Sequence, residues 1–403
     1  MNIIFLLLQM SEDETASNMY NDLIEEYRIN GHNVTVMAPW DKKTVLGQER
    51  GVRTLRVNAL PTQNIKSMIK KGVGLALLPR FYKRAYKKHL KNEKFDWIFM
   101  PTPPITLIDF VSYVKGRTGA KFYLILRDIH PQSAASIGLI KNKQMYNYLE
   151  RRAKKGYQVA DLIGCMSHGN IEFIANRYTD LDKSKLVLLY NWMKFEEYSK
   201  PKVDIRGKYN LGDKVVVLFG GTIGLGQRVE NIFDLARHYS SNDSVVFLIV
   251  GRGVKKDYLE ELVTQAKLKN VRFVDYLPRN EYMDFVKTAD IGLISINENY
   301  KVPTCPSKAI SYMSLKIPMF AMINPNSDYG IFIEDDAKAG YWVVGGDKEN
   351  TYSQFDKLVT DAKLRKEMGE NGYAFYKENL TSEKIYSEIM KQIGNCLSRQ
   401  RRG

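Results

Sequence analysis

Short apolar runs alternate with amphipathic stretches along most of this chain. Such runs predict buried strands, and the amphipathic stretches between them predict helices. The predicted strands of the first half are NIIFLLL, NVTVMAP, VRTLRVN, DWIFMP, KFYLILRD, DLIGCMS and KLVLLYN. Those of the second half are VVVLFGG, VVFLIVG, VRFVDY, IGLISI, IPMFAMI and GYWVVGG. Strands that alternate with helices indicate parallel sheets covered on both faces, so we expect an α/β fold with two Rossmann-like domains.

The two series of strands are separated by a polar stretch, Tyr198 to Asp213, which we predict to be the linker. A chain of 403 residues is ample for two domains with full cores. We predict an N-terminal domain over residues 1–200, a C-terminal domain over 201–378 and a final helical segment over 379–403. Because open parallel sheets bind ligands at the carboxyl ends of their strands, two such domains facing each other would form a cleft.

Composition favours a folded protein of a reducing compartment. Hydrophobic residues make up 44% of the chain. The three cysteines, Cys165, Cys305 and Cys396, are too far apart in sequence for a disulfide framework or a zinc pair, so we expect reduced thiols in a cytosolic protein. The apolar run Ile3 to Leu8 has no basic segment before it and is far shorter than the roughly 20 residues that span a bilayer. We therefore expect neither a signal peptide nor a membrane span.

The net charge of +15 is concentrated in one segment. Between Asn64 and Asn92 there are nine Lys or Arg residues and no acidic residue. From Leu78 onward the spacing is helical and separates two faces. The predicted apolar face carries Leu78, Phe81, Tyr82, Ala85 and His89, and the basic face carries Arg80, Lys83, Arg84, Lys87, Lys88 and Lys91. Such a segment binds an anionic membrane surface or is the solvated face of a domain helix. Nucleic-acid binding has only the basic patch in its favour, without a recognisable recognition fold.

The stretch Lys214 to Tyr239 runs from an apolar strand through a glycine-rich loop into an amphipathic helix. Glycines allow backbone N–H groups to approach a phosphate, and a helix N-terminus adds partial positive charge, so the pattern predicts an anion site or else a tight turn. A P-loop is excluded, because Gln227 and Arg228 stand where Lys and Ser or Thr are required. A dinucleotide fingerprint fails at Val229, and the next strand ends without the acid that would hold a ribose. We expect a different phosphate compound.

Seven segments in a fixed order carry a resemblance to a known family. They are LILRDIHPQSAASIGLI, VLLYNWM, LFGGTIGLGQRVENI, FLIVGRG, VRFVDYLPRNEY, ADIGLI and CPSKAISYMSLKIPMF. The chain resembles the retaining GT-B glycosyltransferases of family four, nearest to those that build surface polysaccharides such as capsule, O-antigen and exopolysaccharide. The resemblance implies that the N-terminal domain binds the acceptor, that the C-terminal domain binds a nucleotide sugar, and that the last helix returns to the N-terminal domain across a GT-B cleft.

The resemblance also implies a set of donor-binding residues. These are Gly220, Gly221, Thr222, Gly224, Gln227, Arg228, Gly251, Tyr276, Leu277, Ser307, Lys308 and Ser311. Lys308, in PSK, is where the family places a phosphate-binding lysine, and preorganised cations stabilise a leaving diphosphate best. The base is expected near Tyr276 and Leu277, unless Tyr276 is an ordinary strand-end aromatic.

One departure from the family concerns carboxylates. The family commonly has a Glu in the helix after PSK and another eight positions earlier, and here those positions are Ser311 and Pro303. Serine can hydrogen-bond a hydroxyl group but does not accept two bonds with full charge. Glu298, five residues before Pro303, is a candidate to compensate from its loop.

Acceptor chemistry is expected in the N-terminal domain. Asp128 and His130 follow a predicted strand and are candidates to orient or deprotonate the acceptor hydroxyl. Packing is the alternative for His130, and pairing with Arg127 is the alternative for Asp128. The loop after the first strand is expected to cap the next helix through Ser17 or Asn18.

The resemblance implies a retaining hexosyl- or N-acetylhexosaminyl-transferase that uses a nucleotide sugar, with UDP as the expected nucleotide, and a polyprenyl-diphosphate-linked acceptor. We expect no metal and no other cofactor, because the sequence has neither an acidic D-x-D motif at a strand end nor a His/Cys cluster. The expected location is the cytoplasmic face of the membrane, with Asn64 to Asn92 as the contact. Two alternatives remain open, a nucleotide-sugar 2-epimerase and a non-catalytic nucleotide-sugar-binding subunit of an assembly complex.

Overall fold

The computed structural model describes residues 1–11, 18–61, 68–198 and 203–400. The chain forms two compact units. Unit 1 comprises Met1–Tyr190 and Ile385–Gly403, and unit 2 comprises Asn191–Lys384. The expected pair of parallel-sheet domains is confirmed, although the chain passes from unit 1 to unit 2 before the predicted boundary at residue 200.

Unit 1 is built on a sheet whose described strands have the order β3-β4-β2-β1-β5-β6-β7-β8. The strands are β1 (Asn2–Leu6), β2 (Asn33–Trp40), β3 (Val45–Glu49), β4 (Val52–Asn58), β5 (Trp97–Pro101), β6 (Lys121–Leu126), β7 (Leu162–Cys165) and β8 (Leu186–Leu188). Neighbouring strands pair in parallel except β3 and β4. Strand β3 was not predicted. It is an edge strand with mostly exposed or half-exposed residues, so its sequence carries no apolar run.

The helices of unit 1 cover this sheet. They are α1 (Met19–Ile29), α2 (Met68–His89), α3 (Ile108–Thr118), α4 (Gln132–Ser136), α5 (Lys143–Val159) and α6 (His168–Arg177). Asn18 caps α1, because its side-chain oxygen accepts hydrogen bonds from the backbone N–H groups of Tyr20 and Asn21 at 2.9 and 3.0 Å. The predicted cap is therefore confirmed at Asn18, and Ser17 lies outside the described residues.

Unit 2 has a sheet whose described strands are all parallel, in the order β11-β10-β9-β12-β13-β14. The strands are β9 (Val215–Thr222), β10 (Val245–Arg252), β11 (Val271–Val274), β12 (Ile291–Ser295), β13 (Met319–Ile323) and β14 (Gly340–Val344). Strand β9 is buried on both faces, which explains its continuous apolar run. The chain order reverses beside β9, so a crevice is expected outside the carboxyl ends of β9, β10 and β12.

The helices that follow are α7 (Ile205–Lys208), α8 (Val229–His238), α9 (Lys256–Gln265), α10 (Arg279–Thr288), α11 (Lys308–Ser314), α12 (Tyr329–Ile331), α13 (Lys348–Thr360), α14 (Ala362–Asn379) and α15 (Ser382–Gln400). Part of the predicted linker belongs to unit 2 instead, since Ile205 and Leu211 are buried there and the Arg206 guanidinium lies 2.9 Å from the Asp290 carboxylate. The chain rejoins unit 1 at Ile385 in α15, where Gln392 accepts a 2.6 Å hydrogen bond from Tyr123. Within the described ranges, no helix has the length and apolar character needed to cross a membrane.

Candidate functional site

A cavity of about 480 Å³ lies at the carboxyl ends of β9, β10 and β12, all within unit 2. It brings together ten of the twelve predicted donor-binding residues, namely Gly220, Gly221, Thr222, Gln227, Gly251, Tyr276, Leu277, Ser307, Lys308 and Ser311. The sequence did not single out five further lining residues, Val250, Arg279, Tyr282, Ile296 and Pro306. Segments that are distant in sequence thus converge on the crevice expected from the strand order.

The glycines at the ends of β9 and β10 allow two backbones to approach each other. Gly221 has a φ of +113° and Gly251 a φ of +148°, values that side-chain-bearing residues rarely adopt. A Cβ atom on Gly251 would lie 1.9 Å from the carbonyl oxygen of Gly221. Gly251 is therefore required because the two strand ends are too close for a side chain there, whereas Gly221 is required by its backbone conformation.

Lys308 begins α11 and lines the cavity. Its Nζ atom is shielded from solvent and has no hydrogen-bond partner among the described residues. The aromatic ring of Phe219 on β9 packs against Lys308, and its centroid lies 3.8 Å from the Nζ atom. Burial lowers the pKa of Lys308 to about 7. A buried ammonium with only a ring face beside it is ready to pair with an anion that enters the cavity.

Arg228 and Gly224, the other two predicted donor-binding residues, are not among the residues that line the cavity. The Arg228 guanidinium pairs with the Glu298 carboxylate at 2.5 Å and approaches that of Glu230 at 3.6 Å. Glu298 is thus engaged by Arg228 and does not reach the cavity in place of the missing family Glu. Arg228, just before α8, is thus paired with carboxylates, whereas Lys308 Nζ has no hydrogen-bond partner among the described residues.

The end of β12 and the loop after it form hydrogen bonds to the glycine-rich loop. The backbone N–H of Asn297 donates to the Gly226 carbonyl at 2.8 Å, and its side-chain amide donates to the Leu225 carbonyl at 3.0 Å. The Ser295 hydroxyl donates to the Arg228 carbonyl at 3.1 Å. These bonds hold the loop in one conformation before any ligand binds, which lowers the entropic cost of binding.

An aromatic ring stands at the rim of the cavity. Tyr276, which follows β11, is 56% exposed, and the guanidinium carbon of Arg252 lies 4.2 Å from its ring centroid. The neighbouring Asp275 pairs with Lys256. The cation–π contact and the ion pair hold the rim loop in place, so the Tyr276 ring offers a flat surface at the predicted base position.

The floor of the cavity includes Ser311 and Tyr282, whereas Pro303 is buried and does not line it. Among the described lining residues there is no carboxylate and no imidazole, and the cations are Lys308 and Arg279. A positively charged cavity without carboxylates is complementary to a phosphate-bearing ligand.

In unit 1, Asp128 and His130 follow the carboxyl end of β6, the strand next to β5. The Thr102 hydroxyl, after β5, accepts a 3.0 Å hydrogen bond from the Arg127 backbone N–H and so fixes this loop. Surrounding protein atoms raise the pKa of Asp128, although Arg127 opposes the shift. Burial lowers the pKa of His130, and Lys71 lowers it further, so the imidazole stays neutral at pH 7. A carboxylate with a raised pKa and a neutral imidazole both suit proton transfer.

The basic face predicted for α2 is exposed. Leu78, Tyr82 and Ala85 are buried, whereas the cations Arg80, Lys83, Arg84, Lys87, Lys88 and Lys91 are exposed. Val73, on the preceding turns, is 46% exposed. Residues 64–67 of the predicted segment lie outside the described residues. The two faces are confirmed, and the helix presents a continuous cationic surface to solvent.

No group of three His, Cys, Asp or Glu side chains in the described ranges is arranged to hold a metal ion. None of the three cysteines is in a disulfide within the described ranges, and Cys165 and Cys396 are buried.

Residues 202–375 match the family model described as glycosyl transferases group 1. A probable glycosyltransferase of Pseudomonas aeruginosa, WbjE, is 22% identical over 267 residues, which covers 65% of this chain and 66% of WbjE. The chain thus matches just under two thirds of the length of that relative. WcaI of Escherichia coli strain K12, which is named for colanic acid biosynthesis, is 21% identical over 340 residues and covers 78% of this chain and 81% of WcaI.

Solved structures show the same fold over nearly the whole chain. Sucrose-phosphate synthase from Thermosynechococcus elongatus superposes with a TM-score of 0.74 at 16% identity, with 99% of both chains covered. HepE of Anabaena, solved in complex with UDP and glucose, superposes with a TM-score of 0.68 at 13% identity, with 98% of this chain and 100% of HepE covered. The fold is therefore that of the GT-B glycosyltransferases, with two Rossmann-like parallel-sheet domains.

Proposed function

We propose that this chain is a retaining glycosyltransferase that moves a hexosyl or N-acetylhexosaminyl group from a nucleotide-diphosphate sugar to a polyprenyl-diphosphate-linked saccharide during surface-polysaccharide synthesis. The observation that carries the proposal is Lys308, a buried ammonium without a hydrogen-bond partner among the described residues, in a cavity whose described lining has no carboxylate. A diphosphate is the part of such a donor that needs a cation as the glycosidic bond breaks.

The donor would bind with its diphosphate between Lys308 and the backbone of Gly221 and Thr222, and with its base at the Tyr276 ring. UDP is the nucleotide we propose, since HepE, which shares the fold, was solved with UDP. In a retaining reaction of this kind the acceptor hydroxyl attacks on the face from which the diphosphate leaves. A phosphate oxygen then takes the proton, and protein donors alone hold the diphosphate without a metal.

The acceptor would be bound by unit 1, where Asp128 orients the attacking hydroxyl and His130 lies in the same loop. The names of WbjE and WcaI support a surface-polysaccharide pathway, because the first is called a glycosyltransferase and the second is named for colanic acid biosynthesis. A polyprenyl-linked acceptor would also explain the basic face of α2, since such an acceptor lies in a membrane. We propose that the chain works on the cytoplasmic face of that membrane.

Donor transfer is tested with the purified full chain, a panel of nucleotide sugars and lipid-linked acceptor. We expect one donor to give product, and Lys308→Ala to weaken nucleotide binding by about tenfold to a hundredfold, because a hydrogen bond to a charged group contributes about 1.5–3 kcal/mol. Lys316→Ala is the matched control, since Lys316 pairs with Glu370 at an exposed position and does not line the cavity. Absence of both transfer and nucleotide binding across the panel would refute the proposal.

Membrane binding is tested separately with vesicles of neutral and anionic lipid. Replacing Lys83, Arg84, Lys87 and Lys88 by Gln should weaken binding to anionic vesicles and reduce its salt dependence, because each cation near such a surface contributes about 1 kcal/mol. Replacing four exposed cations of unit 2, Lys267, Lys269, Lys301 and Lys338, is the control. Equal losses in both variants would show that net charge alone is responsible.

The non-catalytic binding subunit remains a second candidate because Ser311 replaces the expected Glu and Arg228 holds Glu298. Binding of a nucleotide sugar without turnover, restored by a partner chain, would favour it. The 2-epimerase is less well supported, since an epimerase needs acid and base groups around the sugar and the described lining of the cavity has neither a carboxylate nor an imidazole.

A further inference from the structure

Tyr282, on α10, lies at the floor of the cavity against the glycine at the end of β9. A Cβ atom on Gly220 would lie 2.2 Å from the Tyr282 hydroxyl oxygen and 2.4 Å from Cε2 of its ring. Such distances are not possible between nonbonded atoms, so any side chain at position 220 would displace the phenol. Gly220 therefore leaves space for Tyr282, whereas Gly221 is needed for its backbone conformation.

The Tyr282 hydroxyl is buried and makes no hydrogen bond of ordinary geometry. The Tyr312 hydroxyl is near enough to lower the pKa of Tyr282 slightly against the effect of burial. It lies 3.0 Å from the Leu218 carbonyl oxygen and 3.3 Å from that of Leu293, so its own single proton is used by the backbone. Burial raises the pKa of Tyr282 well above its usual value, so the phenol keeps its proton. Buried hydroxyl groups in native proteins almost always have a partner, and one left without is expected to meet a ligand or a water.

Lys308 is a second residue of this cavity whose buried polar atom forms no hydrogen bond with the described residues. The Lys308 Nζ atom contacts the ring of Phe219, and the Tyr282 hydroxyl contacts Gly220. Both side chains line one cavity and both polar atoms are buried. Two hydrogen-bond donors whose side chains line one cavity can contact one bound molecule.

We propose that Tyr282 is a further donor-contact residue, whose phenol hydroxyl donates a hydrogen bond to an oxygen atom of the ribose or the diphosphate of the bound nucleotide. This inference rests on the proposed function, because it takes the nucleotide as the occupant of the cavity. It adds a residue that sits in a different segment from the glycine-rich loop and from Lys308, and it gives the free hydroxyl a chemical role.

The test compares the full-length wild type with Tyr282→Phe, which keeps the ring and removes only the hydroxyl. UDP, dTDP, GDP and ADP are titrated by calorimetry, and the Tm of the free protein is measured. We expect the nucleotide that the wild type binds to lose about threefold to tenfold in affinity, the range of one neutral hydrogen bond. The Tm of the free variant should change little, because the hydroxyl makes no hydrogen bond of ordinary geometry in the free protein.

Tyr376→Phe is the matched control. Its hydroxyl is buried in the same unit, donates to the Lys194 carbonyl at 3.0 Å and does not line the cavity. We expect this variant to lose Tm and to keep its nucleotide affinity, the reverse of Tyr282→Phe. Titration with the free nucleoside distinguishes the two possible acceptor groups on the ligand. If Tyr282→Phe lowers the affinity for nucleoside and nucleoside diphosphate equally, the hydroxyl bonds to the ribose. If only the affinity for the diphosphate falls, it bonds to a phosphate.

Unchanged nucleotide affinity in Tyr282→Phe would overturn the inference while leaving the proposed function intact. A lower Tm with unchanged affinity would assign Tyr282 a purely structural role and would also overturn it. If the wild type bound none of the four nucleotides, the proposed function would fail first, and this inference with it.

Discussion

The carboxyl ends of the central strands carry different chemistry in the two units. In unit 2, β9 and β10 end in glycines, and a buried ammonium, Lys308, lies beside them. In unit 1, β6 is followed by a carboxylate and an imidazole, Asp128 and His130. In unit 2 the strand order reverses beside β9, and in unit 1 it reverses between β1 and β5, next to β6. One set of strand ends is suited to hold an anion, and the other to orient an acceptor hydroxyl.

The two edges also differ in how their polar groups are satisfied. The loop of unit 1 is fixed by the Thr102 hydroxyl, which accepts a hydrogen bond from the Arg127 backbone. The cavity of unit 2 contains buried polar atoms that form no hydrogen bond of ordinary geometry with the described residues, among them Lys308 Nζ and the Tyr282 hydroxyl. Unsatisfied buried groups cost stability in the free protein, so a ligand that satisfies them gains binding energy from their prior isolation.

The largest expected effect concerns the ends of β9 and β10 in unit 2, where the two backbones approach each other closely. Gly251→Ala should destabilise the protein by about 3 kcal/mol or more, because its Cβ atom would meet the Gly221 carbonyl oxygen and its φ is unfavourable for alanine. Gly116→Ala, in α3 of unit 1, has open space around its Cβ position and should be neutral or stabilise by up to about 1 kcal/mol. Denaturant unfolding measures both, and equal stabilities would contradict the difference.

The next effect concerns the strand ends of unit 1 that carry Asp128. Asp128→Asn should lower kcat by about a hundredfold, because a misplaced acceptor hydroxyl reacts slowly, and leave UDP affinity unchanged. Because surrounding protein atoms raise the pKa of Asp128, wild-type activity should also fall as the pH drops through that pKa. Steady-state kinetics and calorimetry separate the two quantities. A loss of UDP affinity in this variant would show that the division of roles between the units is wrong.

Nucleotide affinity in the cavity of unit 2 should depend on pH around neutrality. Lys308, with a pKa of about 7 in the free protein, gains a proton more easily once a phosphate is bound. UDP affinity should therefore decrease as the pH rises above 7, by at most about tenfold per pH unit. Calorimetry in buffers of different ionisation enthalpy would also detect the proton taken up. Lys308→Arg should remove the dependence, because arginine stays charged at every pH used.

The smallest effect is on the stability of the free protein. The pKa of Lys308 is lower in the folded than in the unfolded chain, so the unfolded chain binds more protons between about pH 7 and the ordinary lysine value. The free energy of unfolding contributed by this residue should rise across that window. Lys308→Met should be more stable than wild type by about 1 kcal/mol or more below pH 7, and this advantage should shrink as the pH increases. A constant difference would show that Lys308 is not buried when charged.

The sequence predicted the sheets better than the site. Every predicted strand is present, because each is an apolar run, and only β3 lacks that signal as an exposed edge strand. Ordered motifs mark strand ends, so ten of the twelve predicted donor residues line one cavity, whereas Gly224 and Arg228 do not. The partner of Arg228, Glu298, lies in a distant loop, and an ion pair between such segments leaves no pattern in either one. The sequence did not single out Tyr282, because its place in the cavity depends on the space left by Gly220.

The sequence by itself determined the alternation of strands and helices, the two faces of α2 and the glycine-rich strand end, because these depend on local periodicity and on residue type. Only the tertiary structure decided which charges are free. Lys308 and Arg228 are both cations near the same loop, yet Lys308 lies against an aromatic ring and Arg228 is neutralised by Glu298. Burial and pairing are properties of three-dimensional neighbours, so the cation that we propose to bind the ligand became identifiable only when the chain was folded.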